Sequence, residues 1–142
     1  MQRVFYFLAL LIVFSCSSEP AQKESNYSSD QLKQKKQAIE EVMEVHDEAM
    51  AWMDQIQQLK SKLTDKMPAE EKDTMLSVYT GAIADLEQAD EIMMAWMRNY
   101  KEPSDTADFG QVMEYLEGQK KDINEVRTQM KAAIDRATPL SK

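Results

Sequence analysis

The sequence predicts an all-α protein, an elongated up-down-up bundle of three coiled-coil-like helices. Apolar residues recur at spacings of three, four and seven over three long stretches, which is the period of an amphipathic helix. Pro68 and Pro103 stand between these stretches, and short links make successive helices antiparallel neighbours. Because 30% of the residues are charged, the apolar stripes are narrow. We therefore expect a long, slim bundle spanning residues 30–138.

Residues 1–15 have the pattern of a bacterial-type lipoprotein signal peptide. Arg3 is followed by an uninterrupted apolar run from Val4 to Phe14, within the range of about 7–15 residues for such a segment. A helix that spans a bilayer needs about 20 residues. The one cysteine, Cys16, follows Ser15 directly and precedes polar residues. We expect cleavage before Cys16 and attachment of a lipid to its thiol; the alternative is an ordinary cleavage that leaves a free thiol.

Residues 16–29 are predicted to be a lipidated N-terminus and flexible tether, because they are mostly polar and offer little to bury. The anchor places the chain in the cell envelope, at the outer membrane or the periplasmic face of the inner membrane. The formal net charge of −8 argues against binding nucleic acid. The expected partners are the membrane, through the lipid on Cys16, and an unknown protein.

The first helix is predicted over residues 30–66. Ser28 and Gln31 have the spacing of a capping box at its start. If the chain turns near residue 66, His46 should lie near Leu86 and Asp90 of the second helix. The predicted apolar stripe is Leu32, Ile39, Met43, His46, Met50, Met53, Ile56 and Leu63.

The second helix is predicted over residues 68–101 and the third over residues 105–137. Pro68 suits the first turn of the second helix, and Ser104 or Thr106 can cap the third. Residues 139–142 are expected to be a C-terminal tail. The predicted stripe of the second helix is Tyr79, Ile83, Leu86, Asp90, Met93, Met97 and Tyr100; that of the third is Phe109, Val112, Met113, Leu116, Ile123, Val126, Met130, Ile134 and Ala137.

The sequence contains no catalytic signature that we can identify. A Gly-rich phosphate loop and a Cys-x-x-Cys-His haem attachment motif are both missing. The sole cysteine is expected to carry the lipid, and there is one histidine. We therefore do not expect an enzyme.

Eleven methionines are the unusual feature of the composition. Thioether and imidazole groups form a soft ligand set that suits Cu(I), and a His and Met pair can also ligate haem. The simpler interpretation is that methionine fills the core and that Asp90 or Glu87 satisfies His46. The candidate copper ligands are His46, Met43, Met50, Met53, Met93 and Met97.

Two tryptophans, Trp52 and Trp96, also allow two interpretations. They can anchor the packing of the bundle, or they can form part of an exposed aromatic patch that binds a partner. Trp52 falls on the flank of the first helix with Val45 and Leu59, away from the predicted stripe. This position keeps the second interpretation open.

The chain resembles a group of small Bacteroidota lipoproteins, some of which are labelled "viral A-type inclusion protein". The resemblance is carried by the segment around Cys16, by His46–Met50, by Glu91–Arg98 and by Met113–Leu116. It covers most of the chain and implies a helical protein of the envelope, without an established activity to transfer. The expected function is therefore a membrane-tethered helical module for protein interaction or structure. The alternative is a periplasmic Cu(I)-binding protein.

Overall fold

The computed structural model describes residues 25–67 and 74–142, and these residues form an all-helical bundle without strands. The helices are α1 (Ser29–Met50), α2 (Met53–Asp65), α3 (Thr74–Asn99) and α4 (Phe109–Ala137), followed by a 3-10 turn at Thr138–Ser141. The predicted all-α three-helix bundle is confirmed, with α1 and α2 together forming its first rod. At 29 residues, α4 is about 44 Å long, so the bundle is elongated. None of the helices in the described ranges is long and apolar enough to cross a bilayer.

Ion pairs between helices fix the directions of the rods. Glu41 pairs with Lys120 and Glu48 with Arg127, both at 2.7 Å and both separated by 79 residues. Because both partners advance together, α1 and α4 are parallel. Residue numbers instead rise along α3 as they fall along α4, since Asp85 pairs with Arg136 while Tyr100 stacks on Tyr115. The topology is therefore up-down-up.

Side-chain caps define where α1 and α4 begin. Ser28 Oγ accepts from the Gln31 amide, and Gln31 Oε1 accepts from the Ser28 amide, so the predicted capping box is confirmed. The predicted cap of the third helix was wrong. Asp108 accepts from the Gln111 amide at 3.0 Å, whereas the Ser104 hydroxyl is used in a turn with Thr106.

The predicted single helix over residues 30–66 is interrupted at Ala51 and Trp52. Both residues keep right-handed helical φ and ψ angles. However, the Trp52 amide donates to the Ala49 carbonyl, three residues back, as in a 3-10 turn. The interruption therefore tightens the rod locally without turning the chain. Glycine and proline, the usual sequence signals of a break, are both absent here.

The core of the first rod lies on a different stripe from the predicted one. The fully buried positions, Val42, Ala49, Ile56 and Leu63, are seven residues apart, and Leu59 is also buried. The expected core residues lie on the flank of this stripe and are only partly buried, namely Met43, His46, Met50 and Met53. The predicted core positions Ile56 and Leu63 are therefore confirmed. On α1 the buried stripe is rotated around the helix relative to the predicted one, because Ala49 occupies a core position despite its small side chain.

The core of α3 shows the same effect of alanine. Ala82 and Ala89 are buried together with Leu86, Met93 and Trp96, whereas the predicted core residue Met97 is exposed. On α4 the prediction is largely correct. Its buried residues are Val112, Leu116, Ile123, Met130, Ala133, Ile134 and Ala137.

The predicted register between the first two rods was wrong. The His46 ring lies 5.5 Å from the Trp96 ring, not beside Leu86 or Asp90. Asp90 instead accepts from Gln57 Nε2 at 2.8 Å. Because His46 was expected beside Leu86 and lies beside Trp96 instead, α3 is displaced along α1 by about ten residues, or almost three turns, from the predicted register. Pro68 and the rest of the predicted first turn lie outside the described residues.

Two segments predicted to be free at the chain ends are packed against the bundle. Tyr27 is buried, meets Phe109 edge-on at 5.4 Å and donates to the Ser104 carbonyl. The tether therefore does not extend to residue 29 as predicted. At the other end, Leu140 packs against the core, and Lys66 Nζ donates to the Lys142 carbonyl at 2.6 Å. Residues 1–24, including the predicted signal peptide and Cys16, lie outside the described residues.

Candidate functional site

His46 lies at the junction of α1 and α3, where its ring contacts Trp96. Its side chain is only 14% exposed, and Nδ1 lies 2.9 Å from Oδ1 of the adjacent Asp47. The prediction that Asp90 or Glu87 satisfies His46 was wrong, because the displaced register places Asp90 beside α2. His46 is thus held by an aromatic contact across the helix junction and by a neighbouring carboxylate.

An aromatic row continues from His46 across α3 to α4. Trp96 stacks on Tyr100 with ring centroids 5.0 Å apart, and Tyr100 stacks on Tyr115 at 6.4 Å. Trp96 is only 8% exposed, which favours the packing interpretation over an exposed patch. Trp52 is half-buried and borders a groove against α4 with Arg127. The two tryptophans therefore do not form one partner surface.

Two polar groups of this aromatic row lack partners. Within the part of the chain that the structure describes, Trp96 Nε1 and the Tyr100 hydroxyl are buried without a hydrogen bond. Burial, reinforced by the negative charge of Glu102, raises the pKa of Tyr100 above its ordinary value. Ring packing thus holds the row together. Each of the two buried polar groups without a hydrogen bond lowers the free energy of unfolding by about 1–3 kcal/mol.

Two methionines of α1 share the side of the helix that carries His46. Met43 precedes His46 by three residues and Met50 follows it by four, and residues with these spacings lie on one helical face. Both side chains are half-buried. Because His46 contacts Trp96 of α3, this face of α1 borders the α1–α3 junction.

Two further methionines approach the junction from α3. Asp90 marks the side of α3 that faces the first rod, since it binds Gln57 and lies 4.0 Å from Lys60. Met94 and Met97 follow Asp90 by four and seven residues, so they lie on the same side. They are 39% and 38% exposed. We call Met43, Met50, Met94 and Met97 the methionine surface.

The predicted copper ligands are only partly brought together. Met43, His46, Met50 and Met97 border the α1–α3 junction, but Met93 is fully buried in the core. Met53 begins α2 and, like Met50, packs in part against the core. Among the described residues, no group of three or more His, Cys, Asp or Glu side chains could hold a metal ion.

Carboxylates border the methionine surface on both helices. Glu40, Glu44 and Asp47 are exposed on α1, and Glu87 and Glu91 are exposed on α3. We call these five residues the acidic rim. Lys36 pairs with Glu40, and Arg98 pairs with Glu91. Within the described ranges, the other three rim carboxylates form no ion pair with a lysine or arginine, so the rim carries excess negative charge.

An apolar groove runs between α1 and α4, where Ala38 and Met113 lie on its walls. Lys120 pairs with Glu41 across it, but Glu114 and Glu117, which also line it, form no ion pair with a lysine or arginine of the described residues. The hydrogen bond from Lys120 lowers the pKa of Glu41. Both the groove and the α1–α3 junction therefore carry carboxylates without a lysine or arginine partner, but Met94 and Met97 at the junction are exposed, whereas Met113 in the groove is partly buried.

Sequence reasoning missed Met94 as a member of the candidate site. Its signal was the four-residue spacing from Asp90, which has meaning only once Asp90 is known to face the first rod. Thioether side chains are flexible and polarisable, so this surface is suited to contacts with apolar side chains.

Comparison with models of protein families, with curated proteins and with solved structures found no match.

Proposed function

We propose that this protein is a membrane-tethered helical module of the cell envelope that binds another protein through the methionine surface. The supporting observation is the exposure of Met94 and Met97 on the side of α3 that faces the first rod, where Met43 and Met50 are partly buried. Contiguous exposed apolar groups with a polar border mark interaction sites, and methionine adapts its shape to varied partners. No catalytic role is part of this proposal.

The proposed tether would hold the bundle by a defined end. Tyr27 and Asn26 are bonded to the segment before α4, so the chain enters the bundle where α3 ends and α4 begins. A lipid on Cys16 would therefore turn this end towards the membrane. Met97 lies in the last turn of α3, towards the same end, so this part of the methionine surface would lie nearest the membrane.

Site-specific photo-crosslinking in the native cells tests this function. A photo-reactive phenylalanine analogue at position 97 should give a discrete adduct with one protein after illumination. The matched control carries the same analogue at position 129, because Gln129 is exposed on α4. We expect no adduct there. Equal adducts at both positions, or none at position 97, would contradict the proposed surface.

A further inference from the structure

We infer that the partner presents a cationic amphipathic helix, which places its apolar side chains on the methionine surface and its lysines or arginines against the acidic rim. This inference rests on the proposed function and deepens it by stating the chemistry of the partner. Three features carry it: the charge of the rim, the spacing of the methionines and the unfavourable electrostatics of self-association.

The acidic rim favours a basic partner. Glu44, Asp47 and Glu87 are exposed and free of lysine or arginine partners within the described ranges, and the chain as a whole has a formal charge of −8. An exposed ion pair contributes only about 0.2–1 kcal/mol. Complementary charge therefore selects the partner and speeds its association, while contact with the methionines supplies most of the affinity.

The spacing of the methionines fits a helical partner. Met43 and Met50 are seven residues apart on α1, which is about 10 Å along the helix axis. Met94 and Met97 line the opposite side of the junction from α3. An amphipathic helix that binds such a surface presents apolar side chains at positions i, i+3, i+4 and i+7, and the interval of seven matches that of the α1 methionines.

A second copy of this chain is a poor occupant of the same surface. Two copies that met through it would bring Glu44 and Glu87 of one copy towards the same carboxylates of the other. Like charges placed together across an interface oppose association. The charge pattern thus favours a partner of opposite sign over a homodimer.

Two synthetic helical peptides with identical leucine positions test the inference, one with lysine and one with glutamate on the polar face. Each is titrated against the full mature chain carrying Cys16→Ser, and binding is followed calorimetrically at low and at physiological salt. We expect the lysine peptide to bind and the glutamate peptide not to bind. Affinity for the lysine peptide should fall as the salt concentration rises, because exposed charges are screened.

Variants locate the binding on the methionine surface. Glu44→Lys with Glu87→Lys, and separately Met94→Ala with Met97→Ala, should each weaken the lysine peptide by at least about tenfold. Asp122→Lys with Glu125→Lys makes the same charge change on exposed positions of α4 and should have a much smaller effect. Equal losses in the two lysine pairs would overturn the inference, since they would show attraction to net charge alone.

Other outcomes separate this inference from the proposed function. If the lysine peptide does not bind but the adduct at position 97 forms in cells, the surface is an interaction site for a partner of other chemistry, and the inference fails. If sedimentation shows a dimer that Met97→Ala dissociates, the occupant is a second copy, and the inference also fails. If neither the peptide nor the adduct is seen, both the inference and the proposed function fail.

Discussion

Met93→Ala should lower the free energy of unfolding by about 2–5 kcal/mol, whereas Met97→Ala should change it by no more than about 0.5 kcal/mol. The two methionines are one helical turn apart on α3, but Met93 is fully buried and Met97 is 38% exposed. Truncating Met93 removes buried methylene and sulfur contacts and leaves a cavity. Truncating Met97 removes atoms that already contact solvent.

Urea denaturation followed by circular dichroism measures both variants against the parent chain. The pair is matched, because the residue type, the substitution and the helix are the same. Similar losses at the two positions would place both side chains in the core, as the sequence pattern predicts. That result would remove Met97 from the methionine surface.

Cys16→Ala should abolish retention of the protein in the membrane fraction. The reason is that the single cysteine of the chain directly follows the apolar run and Ser15, as in a lipoprotein signal. Several acyl chains on this cysteine would hold the protein in the membrane far more firmly than one chain would. Cell fractionation with labelled palmitate measures both location and lipid. A Ser17→Ala variant is the control and should stay in the membrane and keep the label. An unlabelled parent chain, or a membrane fraction unchanged by Cys16→Ala, would contradict the tether.

The fold class could be read from the sequence because the apolar period is long and regular. On α4, four residues of the predicted apolar stripe follow the helical period and are all buried, namely Val112, Leu116, Ile123 and Met130. The capping box at Ser28 was also readable, because its signal is local. Features that depend on a few neighbouring residues, or on one helix alone, could therefore be predicted from the sequence.

The sequence pattern did not predict the exact core of the first rod, because two of the buried positions are not occupied by large apolar residues. Ala49 and Lys35 lie on the seven-residue interval that leads to Ile56 and Leu63. Lys35 buries its aliphatic stem and donates through Nζ to the Pro103 carbonyl and to Asp105, both at 2.5 Å. A pattern based on hydrophobicity passes over both residues and selects the methionine flank.

The candidate site was only partly predictable for a different reason, namely the register between helices. His46, Met43 and Met50 could be grouped from the period of α1 alone. Their partners on α3 depend on how far α3 is displaced along α1, which the apolar pattern of the sequence does not determine. A displacement of about ten residues places Trp96 instead of Leu86 beside His46, and it brings Met94 into the site.

The most direct test of the methionine surface is a methyl NMR titration of the unlipidated chain with methionine methyl groups labelled. Each side chain reports its own contact with the lysine peptide. We predict that the signals of Met43, Met50, Met94 and Met97 shift, while those of Met113 on the α1–α4 groove and Met130 in the core stay in place. Shifts confined to Met113, or spread equally over all the methionines, would contradict a binding surface at the α1–α3 junction.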